Sequence, residues 1–87
     1  MIKKLVSVYD AKAETFAPPV AAVALGEAVR SFEDAVNDPQ CPFNKHPEDY
    51  TLFHLGEFDD SAAAFHLKEA PVSLGVALQF VKAKADA

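Results

Sequence analysis

The sequence predicts an α+β fold, a small antiparallel sheet of two β-hairpins with a central amphipathic helix on one face and a short C-terminal helix. Two paired runs of β-branched and aromatic residues, over 5–17 and 50–67, predict the hairpins. A run with helical periodicity between them predicts the helix that covers the sheet. Since 87 residues hold one domain, we expect residues 1–82 to form it and residues 83–87 to be a frayed tail.

The first hairpin is predicted to begin with a strand over residues 5–9, where the sequence LVSVY is rich in β-branched types. Residues 10–14 are polar and are predicted to form a turn. Residues 15–17 then return as a short second strand. Pro18 and Pro19 cannot donate ladder hydrogen bonds, so they should end that strand or lie at an edge of the sheet.

The central helix is predicted over residues 25–37. Apolar residues recur there at steps of four, three and four, namely Leu25, Val29, Phe32 and Val36. Pro39 cannot continue a helix, which places the end near Asn37. Residues 38–48 form a long loop with three prolines, and Phe43 is expected to attach it to the core.

The second hairpin is predicted from a strand over residues 50–58, a turn at 59–61 and a returning strand at 65–67. Strand alternation places Tyr50, Leu52, His54 and Gly56 on one face. Residues 72–81 fit two structures. Ser73 as a cap and an apolar stripe favour the short C-terminal helix, while the alternation of Val72, Leu74, Val76, Leu78 and Phe80 also fits a strand.

Charge is unevenly distributed along the chain. The net charge is −5, and residues 27–60 carry nine acidic and two basic side chains. Such a run is usually a solvated face. Because DNA binding draws its free energy mainly from lysine and arginine, a nucleic-acid contact should use the lysines near the chain ends, which are Lys3, Lys4, Lys82 and Lys84.

No catalytic or metal-binding constellation is predicted. One cysteine, Cys41, excludes an intramolecular disulfide, and no base adjoins it to activate the thiol. His54 and His66 could meet across the second hairpin, but sheet or surface histidines are the simpler interpretation. Asp59 and Asp60 are best explained as turn residues. We expect no cofactor, no metal and no enzymatic activity.

The aromatic residues allow two interpretations. Exposed rings beside lysines could form a stacking platform for single-stranded bases. In so small a domain, most of them should instead lie in the core. The residues concerned are Phe16, Tyr50, Phe53, Phe58 and Phe65.

The chain is expected to be cytosolic and to have no membrane contact. No apolar run approaches the roughly 18 residues of a membrane span, and Tyr9 and Asp10 interrupt the apolar start. The chain is 51% hydrophobic, and a domain this small covers its apolar surface poorly. We therefore expect a homo-oligomer, most simply a two-fold dimer.

Five blocks of sequence, taken in their order along the chain, carry a resemblance to a known family. They are SVYD (7–10), AVRSFEDAVND (28–38), FNKHPEDYTLF (43–53), LGEFDD (55–60) and PVSLGVA (71–77). Together they resemble the small nonstructural protein of gokushoviruses, which are single-stranded-DNA microviruses. The resemblance covers roughly residues 5–80.

This resemblance implies a non-virion protein of the infected host cytoplasm. The gokushovirus protein is often likened to the C protein of phiX-type phages, which helps switch replication to single-stranded genome synthesis for packaging. It thus implies a non-catalytic accessory protein that binds single-stranded DNA or viral or host replication proteins. A homo-oligomeric adaptor or assembly protein without nucleic-acid contact is the second interpretation. The resemblance assigns no site residues.

Overall fold

A computed structural model describes residues 1–82 of the chain. Its strands are β1 (Ile2–Asp10), β2 (Thr15–Phe16), β3 (Val20–Ala22), β4 (Tyr50–Asp59) and β5 (Ala64–Val76). Its helices are α1 (Leu25–Val36), α2 (Pro42–Lys45) and two 3₁₀ helices, Pro47–Asp49 and Ala77–Phe80. The α+β fold is confirmed, with one main helix and a short helical element near the C-terminus.

The five strands form one antiparallel sheet. The first strand β1 lies in the middle, with β4 on one side and the short strands β2 and β3 on the other. On the far side of β4, strand β5 forms the second edge. The two hairpins therefore meet through their first strands, β1 and β4.

The first hairpin carries one strand more than predicted. Pro18 and Pro19 end β2 as expected, but Val20–Ala22 then pairs with β1 in the register Lys4 to Ala22. Two alanines in three residues give this segment a weak strand signal. Its pairing with β1, which no local pattern reveals, stabilises it.

The main helix α1 ends at Val36, one residue before the predicted end. Its buried side chains, Ala28, Phe32 and Val36, contact the sheet. The side chain of Asn37 then donates from Nδ2 to the carbonyl oxygen of Phe80 at 3.0 Å. This bond attaches the C-terminal segment to the end of α1.

The core lies between α1 and one face of the sheet. Its buried members are Val6, Ala22, Ala28, Phe32, Val36, Leu52 and Ala77. Phe43 packs against this cluster, with its ring 5.5 Å from that of Phe32, so the predicted attachment of the proline-rich loop is confirmed.

The C-terminal helix is shorter than predicted. Strand β5 continues through Ser73 to Val76, and the helix occupies only Ala77–Phe80. The prediction that Ser73 caps this helix is wrong, and the strand alternative is right up to Val76. Ser73 pairs with Phe53 of β4, a distant contact that overrides the local helical pattern.

The sheet contains two irregularities at Leu55. Against β1, this residue is an extra one, because Leu5 pairs with Gly56 and Val6 with His54. Against β5, it lies opposite a bulge of residues 68–71, since Leu67 pairs with Gly56 and Val72 with His54. Bulges of this kind bend a strand and increase its twist.

Candidate nucleic-acid interface

The sheet has a face that no helix covers among residues 1–82. Val6 and Val8 of β1 pack in or against the core under α1. Since successive residues of a strand point to opposite sides, Leu5, Ser7 and Tyr9 belong to the other side. We call this side the outer face.

One aromatic cluster lies at the Asp10 end of the outer face. The ring of Tyr9 lies 4.8 Å from that of Phe16 and 6.4 Å from that of Phe53. The rings of Phe16 and Phe53 are 5.5 Å apart. The register explains the cluster, because Tyr9 pairs with Phe16 and Ser7 with Phe53. Phe16 remains 43% exposed.

A second aromatic pair lies toward the other end of the same face. Phe58 pairs with Lys3 of β1 and with Phe65 of β5, so the three side chains share one side of the sheet. The two rings are 4.8 Å apart. Phe65 is 63% exposed and the nearby Leu67 is 67% exposed.

The prediction that most of the singled-out aromatic residues lie in the core is wrong. Tyr50 packs against the core cluster beside Phe43. Phe16 and Phe65 are exposed, while Phe53 and Phe58 are half-buried on the outer face. Alternation separates Phe53 from Leu52, but the position of α1 decides which of the two becomes buried.

Acidic side chains are concentrated on the opposite side of the molecule. Every carboxylate at a paired strand position, on Asp10, Glu57 or Asp59, lies on the side of Val6 and Val8 by strand register. Helix α1 adds three more on the same side, which are Glu27, Glu33 and Asp34. The outer face has no carboxylate at a paired strand position in the part of the chain that the structure describes.

The structure does not gather the four predicted lysines into one site. Lys3 and Lys4 are neighbours in β1 and therefore lie on opposite faces, with Lys3 on the outer face. Lys82 lies beyond the C-terminal end of α1, where its backbone N–H donates to Asn37 Oδ1 at 2.9 Å. Lys84 lies outside the described residues.

Both lysines of β1 make ion pairs. Lys4 Nζ donates to Glu57 Oε2 at 2.6 Å, and this bond holds the pKa of the Glu57 carboxyl below its usual range. Lys3 Nζ lies 3.6 Å from Asp60. The pKa of Asp60 is also lowered, chiefly by a hydrogen bond from the terminal amino group and further by Lys3. Because all these groups are solvent-accessible, the pairs are weak and leave the lysines available to other anions.

The histidines of the second hairpin do not face each other. His54 pairs with Val72 and His66 with Glu57. His54 is buried, and its Nε2 lies 3.0 Å from the carbonyl oxygen of Gly56, so this ring has a structural role.

A different histidine takes part in the one histidine–carboxylate cluster found among residues 1–82. The ligand atoms of His46, Glu48 and Asp49 lie within 4.8 Å of one another in the loop before β4. Next to it, burial raises the pKa of Tyr50, and the charges of Asp10 and Asp49 raise it further. The loop is attached to the end of β1, where the backbone N–H of Ala11 donates to the carbonyl oxygen of Asp49 at 2.9 Å.

The outer face thus combines exposed rings with no carboxylate at a paired strand position of residues 1–82, although Asp60 lies 3.6 Å from Lys3 at one end of it. A base can stack on an aromatic side chain because every base has a π-face. The two aromatic clusters are separated by the six residue steps from Tyr9 to Lys3, about 20 Å at the rise of a strand. This spacing matches a flexible strand several nucleotides long better than a single small ligand.

Comparisons with known proteins identify the family. No curated protein and no solved structure matches the chain. No helix among residues 1–82 has the length and apolar character needed to cross a membrane. The model of the Phage ORF5 protein family matches residues 3–80, nearly the whole chain, and the chain therefore belongs to this family of phage proteins.

Proposed function

We propose that this phage protein is a non-catalytic accessory protein that binds single-stranded DNA on its outer face. Membership of a phage family supports an accessory role. The resemblance to the gokushovirus nonstructural protein supports a role in the switch to single-stranded viral DNA synthesis or in genome packaging. The exposed aromatic rings of the outer face are the observation on which this proposal depends.

The charge distribution weakens the main objection to DNA binding. A net charge of −5 opposes contact with phosphates if it is spread evenly. The carboxylates of the strands and of α1 lie on the core side, while Lys3 lies beside Phe58 on the outer face. A strand stacked on the outer face would keep its phosphates away from most of the acidic groups.

Fluorescence anisotropy with labelled oligothymidine, at low and at physiological salt, tests this proposal. The variants Phe16→Ala and Phe65→Ala each remove one exposed ring. Each variant should lose about 1–3 kcal/mol of binding free energy, the usual contribution of base stacking. Leu78→Ala is the matched control, because Leu78 is 57% exposed in the C-terminal helix and is not on the outer face. Its affinity should equal that of the wild type.

The neighbouring lysines provide a second matched pair. Lys3→Gln should weaken binding. It should also reduce the slope of log affinity against log salt concentration by about one, because about one ion fewer is released on binding. Lys4→Gln changes the same charge on the opposite face and should have the smaller effect. Equal losses in the two variants, or no anisotropy change at low salt, would contradict the proposed interface.

Two further measurements distinguish the proposed function from an enzymatic role and from a homo-oligomeric adaptor role. Purified protein incubated with DNA and magnesium or manganese should leave the DNA intact, whereas cleavage that tracks the protein would contradict a non-catalytic role. If the protein is a dimer that Phe65→Ala dissociates and that does not bind DNA, the homo-oligomeric adaptor becomes the favoured function.

A further inference from the structure

The core side of the molecule contains an open cleft between α1 and the edge of the sheet formed by β3. Its volume is about 300 Å³, within the range of small ligand sites. The walls include several short side chains, among them Ala28 and Ala35 of α1 and Ala22 of β3. Val6, Val8, Phe32 and Leu52 also contribute to the lining.

The cleft lies on the side of α1 that faces away from α2 and the C-terminal helix. The ring of Phe32 lies 5.5 Å from that of Phe43 and 5.7 Å from that of Phe80. These contacts hold α1 against α2 and the C-terminal helix. On the side of the cleft, the helix presents Ala28, Ser31 and Ala35, whose short side chains leave the space open.

Strand β3 borders the cleft and has a free edge. Within residues 1–82 it pairs only with β1, so its other side offers unpaired backbone groups. Pro18 and Pro19, which precede it, have no N–H to offer. An extended peptide can add a strand to such an edge and place alternate side chains in a pocket beside it.

The one charged side chain that lines the cleft, among residues 1–82, is the carboxylate of Glu27. Glu27 lies at the rim, where its Oε1 accepts a hydrogen bond from the backbone N–H of Val23 at 3.3 Å. This bond holds the carboxylate near the first turn of α1, and exposed Asp34 adds negative charge on the same helix. Complementary charge across an interface directs partner choice, so the occupant should be basic.

We propose that this cleft binds a short extended segment of a basic partner protein. The segment adds a strand to the free edge of Val20–Ala22. One large apolar side chain enters the space left by the alanines, and a neighbouring lysine or arginine pairs with Glu27. This surface lies on the opposite side from the aromatic rings, so it goes beyond the proposed DNA-binding function.

The test is an NMR titration of the isotopically labelled protein with capped peptides of alternating leucine and lysine. Binding should shift the amide signals of residues 20–22 and 28–35. A peptide of alternating leucine and glutamate should leave them unchanged. The leucine–lysine peptide with methylated backbone nitrogens should also leave these signals unchanged, because it cannot donate hydrogen bonds to β3.

Variants of exposed residues test the cleft without disturbing the core. Ser31→Leu should fill the mouth and abolish the shifts, while the spectrum remains that of a folded protein. Glu27→Gln should weaken binding about twofold to fivefold, as expected for an exposed ion pair. Asp34→Asn is the charge-matched control outside the cleft lining and should have a smaller effect.

The proposal is overturned if the lysine peptide causes no shifts at millimolar concentration, or if it binds Ser31→Leu as tightly as wild type. Equal binding of the methylated peptide would also overturn it, because strand addition would then play no part. Ser31→Leu should bind oligothymidine normally, which separates this test from that of the outer face.

Discussion

Lys3 and Lys4 are adjacent in the sequence, yet they belong to different surfaces. Their charge pattern suggested one site, but a strand sends consecutive side chains to opposite faces. The aromatic residues show the same limit. Alternation separated Phe53 from Leu52, but the face that becomes core depends on where α1 packs. The candidate site therefore depends on tertiary placement that a local pattern does not contain.

Gly56 illustrates how a single residue controls strand geometry. It lies beside the bulged Leu55, with φ of +156°. A Cβ at this position would meet the carbonyl oxygen of His66 and lie 2.7 Å from the Cα of Leu67. The approach of β5 to β4 therefore requires a residue without a side chain.

We expect Gly56→Ala to lower the free energy of unfolding by about 1–3 kcal/mol, the usual cost of forcing extra atoms into a packed site. Urea unfolding followed by circular dichroism measures this change. Gly26→Ala is the control, because a Cβ added there meets nothing within 4 Å. In α1 it should stabilise the protein by up to about 1 kcal/mol. Equal stability of the two variants would contradict the role of Gly56.

At the scale of elements, the helices and strands with the strongest local sequence pattern were predicted best. Helix α1 was predicted to within one residue, because its apolar residues match one helical face and Pro39 follows closely. The end of β5 fits both a helix and a strand, and pairing with β4 decides between them. Strand β3 was not predicted, since three residues depend entirely on their partner.

The end of the sheet beyond α1 depends on cross-strand pairs, so it should be sensitive to acid. The pKa of Glu57 is held below its ordinary value of 4.5 by the hydrogen bond from Lys4. A carboxyl with a lowered folded-state pKa contributes stability that is fully present above the unfolded value. That stability is lost as pH falls through the lower folded value.

Comparison of wild type with Glu57→Gln isolates this contribution. The wild type should have the higher melting temperature above pH 4.5, and the difference should shrink as the pH falls further. Thermal melts followed by circular dichroism across this range provide the measurement. A difference that stays constant with pH would mean that the Lys4 pair does not contribute to stability.

At the scale of the whole molecule, the described chain is an elongated body of 49 × 25 × 19 Å with two unlike sides. One side carries the helices and most of the acidic groups. The other presents exposed apolar rings over an extended sheet. A face of 49 × 25 Å exceeds the roughly 800 Å² per partner of a standard interface but not twice that area, so we expect it to bind a second copy or DNA but not both at once.

We therefore expect self-association and DNA binding to compete. Light scattering at micromolar concentration should give the mass of a dimer, and added oligothymidine should convert it to one chain per oligonucleotide, because a ligand that binds only the monomer shifts the equilibrium toward it. Phe65→Ala should weaken the dimer as well. A monomer at all concentrations, or a dimer that binds DNA without dissociating, would contradict this competition.

The bulge at residues 68–71 has a consequence for the fate of the free protein. A flat, unbroken edge of thirteen residues is a template on which further chains can stack into fibrils. The bulge divides β5 into two short segments, and Pro71 between them has no backbone N–H to donate. We therefore expect association through this edge to end after a few hydrogen bonds, which would protect the protein from open-ended polymerisation.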